Sequence, residues 1–228
     1  MVAASSPSPA PAPASSNHGL SPGGCPPAPG PGSPESPPGE DDQDVTRALL
    51  EGVLRASPST QGRDLAEVLA VTQPGPEHQY LRAFVGLWDA PSKFWPAPGV
   101  PPIVSPGSAM RKMILGGRFL YEDYEGHVLG KPYRGTSLTG YDQAKNAYTA
   151  VWVDSISTGI MATTGTGDST GKAFTFNGAY RDPIAGRMRR TRATLRLINK
   201  DAYVIEMSFI EDDGKEFKTL EIDYKRRR

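Results

Sequence analysis

The 228-residue chain sets 25 Lys/Arg against 25 Asp/Glu and holds one Cys and three His. That balance supplies no strong field for nucleic acid, and the lone Cys25 can form no internal disulfide. Zinc or haem normally takes more imidazole or thiolate than this chain offers, so no metal and no cofactor are expected.

From the N-terminus, residues 1–42 hold twelve of the 23 prolines, and only Pro183 follows Pro132. With almost no large apolar side chain, this stretch cannot offset an ordering cost of roughly 1–2 kcal/mol per residue. It reads as a disordered Pro/Ser/Ala/Gly-rich tail, partly polyproline II. No secretion signal or Arg-rich transit peptide is recognised, and nothing approaches a membrane span. A soluble, cytoplasmic protein is expected. Residues 1–76 carry 3 Lys/Arg and 8 Asp/Glu, whereas residues 77–228 carry 22 and 17. The basic excess, like the terminal KRRR, reads as solvated surface, and no nucleic-acid partner is expected.

Residues 43–76 show short helical patterns and a linker. In DDQDVTRALLEGVLRAS, Asp44 can cap a turn that aligns Val45, Leu49 and Val53, and RDLAEVLAV suggests a second turn. In PEHQYLRAFVG, Pro76 opens a short helix that carries Tyr80, Leu81, Phe84 and Val85 into the first strand.

From Leu87 onward the rhythm is period two: LWDAPSKFW, SAMRKMIL, RFLYEDYEG, RGTSLTGYD, AYTAVWVDS, TGIMATTGTG, KAFTFNGAY, RMRRTRATLRLI, AYVIEMSFIE and KEFKTLEIDYKR. Loops of mostly two to five residues imply antiparallel neighbours. The expected fold class is all-β: residues 77–228 form an up-and-down barrel of about ten strands, closed so that no edge is left open. Gly116-Gly117 sits between two alternating arms with no helix after it. It is expected to be a two-residue hairpin turn, not a phosphate loop.

Alternation also assigns faces. Tyr148, Ala150, Trp152 and Asp154 share one face; Tyr203, Ile205, Met207 and Phe209 another; Leu220, Ile222 and Tyr224 a third. Arg189 falls on the apolar side of its strand, where a barrel-mouth guanidinium could grip a carboxylate. Tyr148, Trp152, Asp154, Arg189, Tyr203, Met207 and Tyr224 are therefore the candidate ligand-binding lining, against the simpler reading of core and rim. Adjacent Glu122 and Asp123 point to opposite faces and make no ready acid/base pair. His78 is expected in a helix and His127 in an exposed loop, so no catalytic residue is assigned.

Gly86-Leu87-Trp88, a G-x-W opening the first strand, resembles the lipocalin and calycin signature. The resemblance implies that Trp88 closes one barrel end against a basic residue of the last strand, Arg226 or Lys225, with Gly86 beside it. More widely, FVGLWDAPSKFWPAPGVPPIVSPGSAMRKMILGGRFL, GTSLTGYDQAKNAYTAVWVDSISTGIMATTGTGD and GKEFKTLEIDYKR resemble the bacterial domain family of unknown function numbered 1579, across about residues 77–226. That implies a lipocalin-like barrel and brings no activity or ligand. Nitrobindins share a barrel of this general kind and bind haem through a late-strand histidine. This chain has none after His127, so the haem role is not carried over.

The leading expectation is a barrel that binds a small apolar or amphipathic molecule. The alternatives are an enzyme of isomerase, cyclase or hydrolase type with a polar site inside, and a filled barrel acting through protein–protein contact. Oligomeric state is left open.

Overall fold

The computed structural model describes residues 47–52, 55, 69–70, 72–181 and 186–228. The expected tail, the Asp44 cap and Val53 lie outside the described residues; residues 47–52 and 55 are helical, and Leu49 is exposed. Helix α1 (Pro76–Leu81) leads through a 3-10 turn (Arg82–Phe84) into the sheet. Twelve strand segments follow: β1 (Gly86–Asp89), β2 (Ser92–Phe94), β3 (Ile103–Ser105), β4 (Gly107–Ile114), β5 (Phe119–Val128), β6 (Lys131–Asp142), β7 (Ala147–Asp154), β8 (Met161–Gly167), β9 (Ala173–Arg181), β10 (Met188–Asn199), β11 (Ala202–Ile210) and β12 (Glu216–Arg226). Among the described residues no helix is long and apolar enough to cross a membrane.

The twelve segments make ten strands around one ring. β1 and β2 keep a single register along β12, with Trp88 opposite Arg226 and Ser92 opposite Ile222. β3 and β4 keep a single register along β1 and β2, with Asp89 opposite Ser108 and Ser92 opposite Ser105. The interruption falls where Pro91 stands across from Pro106. Neither has an N–H to donate, so the ladder breaks locally while the strands run on. Ala90 N–H still donates to Gly107 O (2.8 Å) and Asp223 N–H to Pro91 O (3.1 Å) on either side of the break. Antiparallel neighbours in chain order and the β1–β12 pairing close the ring. The all-β barrel expected from the alternation is what the chain forms.

The β4–β5 turn departs from expectation. It spans four residues, Leu115 to Arg118, because Ile114 and Phe119 are the last pair. Leu115, Gly116 and Gly117 all take positive φ (51°, 65° and 82°), a run that two glycines make tolerable. The turn remains centred on the glycine pair, so the strand register is that of a two-residue turn. His127 is likewise not in a loop: it lies on β5 opposite Pro132, exposed.

One end of the ring is filled. The chain crosses it as α1 and the 3-10 turn, driving Phe84 inward against Phe174 and Tyr203 (ring centroids 5.8 and 5.1 Å). Trp88 stands edge-on to Tyr203 at 4.7 Å, and Tyr203 stacks on Tyr224 at 4.2 Å. All five rings are buried, each contributing roughly 1.5–3 kcal/mol of apolar burial. α1 is pinned by Tyr148, whose hydroxyl donates to Glu77 O at 3.1 Å, and by His78. Gly75 N–H donates to His78 Nδ1 (3.0 Å), and the ring stands edge-on to Tyr141.

Arg226 locks the same end. Its guanidinium lies 4.1 Å over Trp88 and donates to Val85 O (2.7 Å) and Ala83 O (3.3 Å). Gly86 leaves room for it: φ is +141°, and a Cβ there would overlap the guanidinium.

Arg226→Ala should cost about 2–4 kcal/mol, since it strips a cation–π contact and orphans carbonyls under the cap. A chemical-denaturation midpoint unchanged from wild type would refute this. Burial holds the His78 imidazole below its ordinary 6.5, with Glu77 pulling the other way. The neutral ring's contribution is thus complete above pH 6.5 and is lost as pH falls through the lowered folded-state value. Urea unfolding at pH 7.5 and 5.0 should show a loss of stability that is smaller in His78→Asn; an identical loss in both proteins would count against it.

Candidate functional site

Beyond the filled end, the inner wall changes character. The register turns Ser137 and Thr139 of β6, Ala150 of β7, Thr163 of β8 and Ala193 of β10 inward at mid-strand. These are small residues, and each keeps solvent exposure although it faces the barrel axis. On the same inner face Thr191 of β10, one step further from the filled end than Ala193, is buried. Ten strands enclose a wider bore than the eight that side chains just fill. Beside Ala193, Ile205 and Met207 of β11 and Leu220 of β12 supply a half-buried apolar wall.

The rim of this space is aromatic. Trp152 packs near Tyr133 and Tyr124, with ring centroids 6.5 and 6.3 Å away. The indole lies flat along β6 because Gly135 is there; a Cβ at that position would overlap it. Asp154 is committed to structure: it accepts from Trp152 Nε1 (3.1 Å) and from the N–H groups of Ile156 (3.0 Å) and Ser157 (2.9 Å). Burial, then the nearby Asp154 charge, pushes the Tyr133 phenol well up. On the opposite rim Arg189 lies 4.5 Å over Phe209, with Nη2 3.9 Å from Glu211. Val100, Ile103, Leu129, Ile156, Ile160 and Met188, exposed apolar residues, stand on the loops and strand ends of this open side.

The floor is polar and buried. Arg111 Nη2 donates to Glu122 Oε2 at 2.7 Å, and Tyr224 Oη donates to Glu122 Oε1 at 2.8 Å. The Arg111 guanidinium sits 5.0 and 4.9 Å from the Tyr203 and Tyr224 ring centroids. Burial opposes the Arg111 charge, but Glu122 beside it prevails and raises the pKa. Burial pushes the phenols of Tyr203 and Tyr224 well above their ordinary range.

The seven candidates taken from the sequence do not meet at one place. Trp152, Asp154, Arg189 and Met207 border the open half. Tyr203 and Tyr224 belong to the floor, and Tyr148 to the filled end. Arg111 and Glu122 were missed, though the pattern contained them. Each interrupts an apolar face, Ala109-Arg111-Met113 and Leu120-Glu122-Tyr124, and a turn centred on Gly116-Gly117 sets the two charges opposite each other. Glu122 and Asp123 do point to opposite faces, with Glu122 alone buried.

Two clefts lie on the outer surface of the filled end. One of about 200 Å³ lies between His78, Arg118 and Tyr141, and one of about 450 Å³ between Arg82, Lys172, Lys200 and Arg226. Among the described residues no group of three or more His, Cys, Asp or Glu could hold a metal ion.

Gly135→Val should displace Trp152 and cost about 1–3 kcal/mol by overpacking. Intrinsic fluorescence would show altered indole emission; unchanged emission and stability would show that the indole does not lie on β6.

Residues 73–226, more than half of the chain, match the family described as "Protein of unknown function (DUF1579)". No curated protein matches the sequence. A crystal structure of Rv2717c from M. tuberculosis is similar over 68% of this chain and 100% of its own, with 16% identity and a TM-score of 0.50, a likeness of fold. A redesigned β-barrel is more distant, at 13% identity over 65% of this chain and 96% of its own, TM-score 0.36. So is a protein of unknown function from the DUF3598 family of Nostoc punctiforme, at 7% identity over 68% of this chain and 100% of its own, TM-score 0.21. The chain belongs to the DUF1579 family, and its sequence closes into a ten-stranded barrel.

Proposed function

We propose that the barrel binds one small apolar or amphipathic molecule in the open half of its interior. The observation that carries this reading is the set of small, inward-facing residues at mid-strand that are only half-buried: Ser137, Thr139, Ala150, Thr163 and Ala193. Ligand sites are concave, mainly apolar and furnished with a few polar groups. Here the half-buried Ile205, Met207 and Leu220 supply apolar surface, and Trp152 and Arg189 border the entrance. A lipocalin-like mode is supported by the Trp88–Arg226 contact at the opposite end, which leaves one end for entry.

The direct test is native mass spectrometry of the freshly purified chain, before and after denaturation, together with titration of the apolar fluorophore N-phenyl-1-naphthylamine. Wild type should take up the probe. Ala193→Trp, which fills the bore from mid-strand, should weaken uptake at least ~10-fold, since overpacking of an open space costs the ligand its room. Its melting temperature should stay close to wild type. Equal uptake by both proteins, or none by wild type and no bound mass, would overturn the reading.

A further inference from the structure

The floor of the open half has an uneven set of hydrogen bonds. Both oxygens of Glu122 are occupied, one by Arg111 Nη2 and one by Tyr224 Oη. Among the described residues, Arg111 Nε and Tyr203 Oη are buried with no hydrogen-bond partner. Buried donors are nearly always satisfied, and two unmatched ones in a single cluster call for a reason. They belong together, since the guanidinium lies 5.0 Å from the Tyr203 ring centroid. Neither atom is reached by solvent, but partly exposed inward residues adjoin them in the sheet register. Ser137 is the cross-strand neighbour of Glu122, and Ile205 is the next inward residue after Tyr203; both are partly exposed.

Charge then narrows what these donors can take. Arg111 and Glu122 cancel, so the floor has spare N–H and O–H groups and no spare positive charge. A carboxylate placed there would bring an uncompensated negative charge into a desolvated site beside Glu122. A neutral oxygen accepts the same hydrogen bonds without that cost.

We infer that the floor recognises an uncharged oxygen acceptor, a hydroxyl or carbonyl at the inner end of an otherwise apolar molecule, through Arg111 Nε–H and Tyr203 Oη–H. This rests on the ligand-binding reading above and specifies the class of ligand: a long-chain alcohol, aldehyde or ketone in preference to a fatty acid. Tyr203 and Arg111 are its binding residues, and Glu122 sets the charge preference.

The test uses the full chain and displacement of bound N-phenyl-1-naphthylamine by dodecan-1-ol and by dodecanoate. The alcohol should bind at least ~10-fold more tightly than the carboxylate, because only the latter buries a net charge. Tyr203→Phe should lower alcohol affinity about 3- to 10-fold, the loss of one neutral hydrogen bond. The same variant should melt at or above the wild-type temperature, because it removes a hydroxyl that has no partner in the free protein. Glu122→Gln should shift the preference toward dodecanoate by freeing the Arg111 charge. Should that variant fail to fold, the wild-type and Tyr203→Phe measurements decide alone. Equal affinity for alcohol and carboxylate, or a Tyr203→Phe variant that melts lower or binds the alcohol unchanged, would overturn the inference while fluorophore uptake keeps the hollow barrel. No uptake of fluorophore by wild type would remove the hollow barrel and this inference together.

Discussion

A closed ring of ten antiparallel strands encloses more volume than small inward side chains fill, and the structure depends on how that surplus is divided. At one end the chain spends its largest residues. Phe84, Trp88, Phe174, Tyr203 and Tyr224 interlock edge-to-face and stacked beneath α1. At mid-strand the inward positions of β6, β7, β8 and β10 include the smaller Ser137, Thr139, Ala150, Thr163 and Ala193.

Closure is the second requirement, because an unclosed sheet this long would expose two edges. The first strand keeps one register along the last strand on one side and, through the Pro91–Pro106 break, along the second strand on the other. Arg226 then ties the cap to the ring, donating to Val85 and Ala83 while covering Trp88. The glycine of the G-x-W stretch has a spatial role here, since Gly86 is where the Arg226 guanidinium passes.

The Arg111–Glu122 pair marks the border between the two halves. A buried ion pair is weak grounds for stability, since removing two charges from water offsets most of their attraction. Its clearer consequence is for register. A one-residue slip of β4 or β5 would turn one charge to the outer face and leave the other buried alone. Next to the aromatic plug, the same pair and the Tyr224 hydroxyl make a polar layer inside the ring.

Much of this architecture was legible in the chain. Period-two alternation from Leu87 onward identified the strands and their inner faces, because side-chain direction in a strand is a local property. The short loops implied antiparallel neighbours, and ten runs implied ten strands, since LWDAPSKFW reads straight through Pro91. Arg111 opposite Glu122 could also have been read from two interrupted apolar faces and one glycine-centred turn. The division of Tyr148, Trp152, Asp154, Arg189, Tyr203, Met207 and Tyr224 between plug, floor and rim could not. Each of those residues faces inward equally well by alternation. Only the closed ring decides which depth each occupies, because cavity volume is summed over ten strands and no single strand carries that sum.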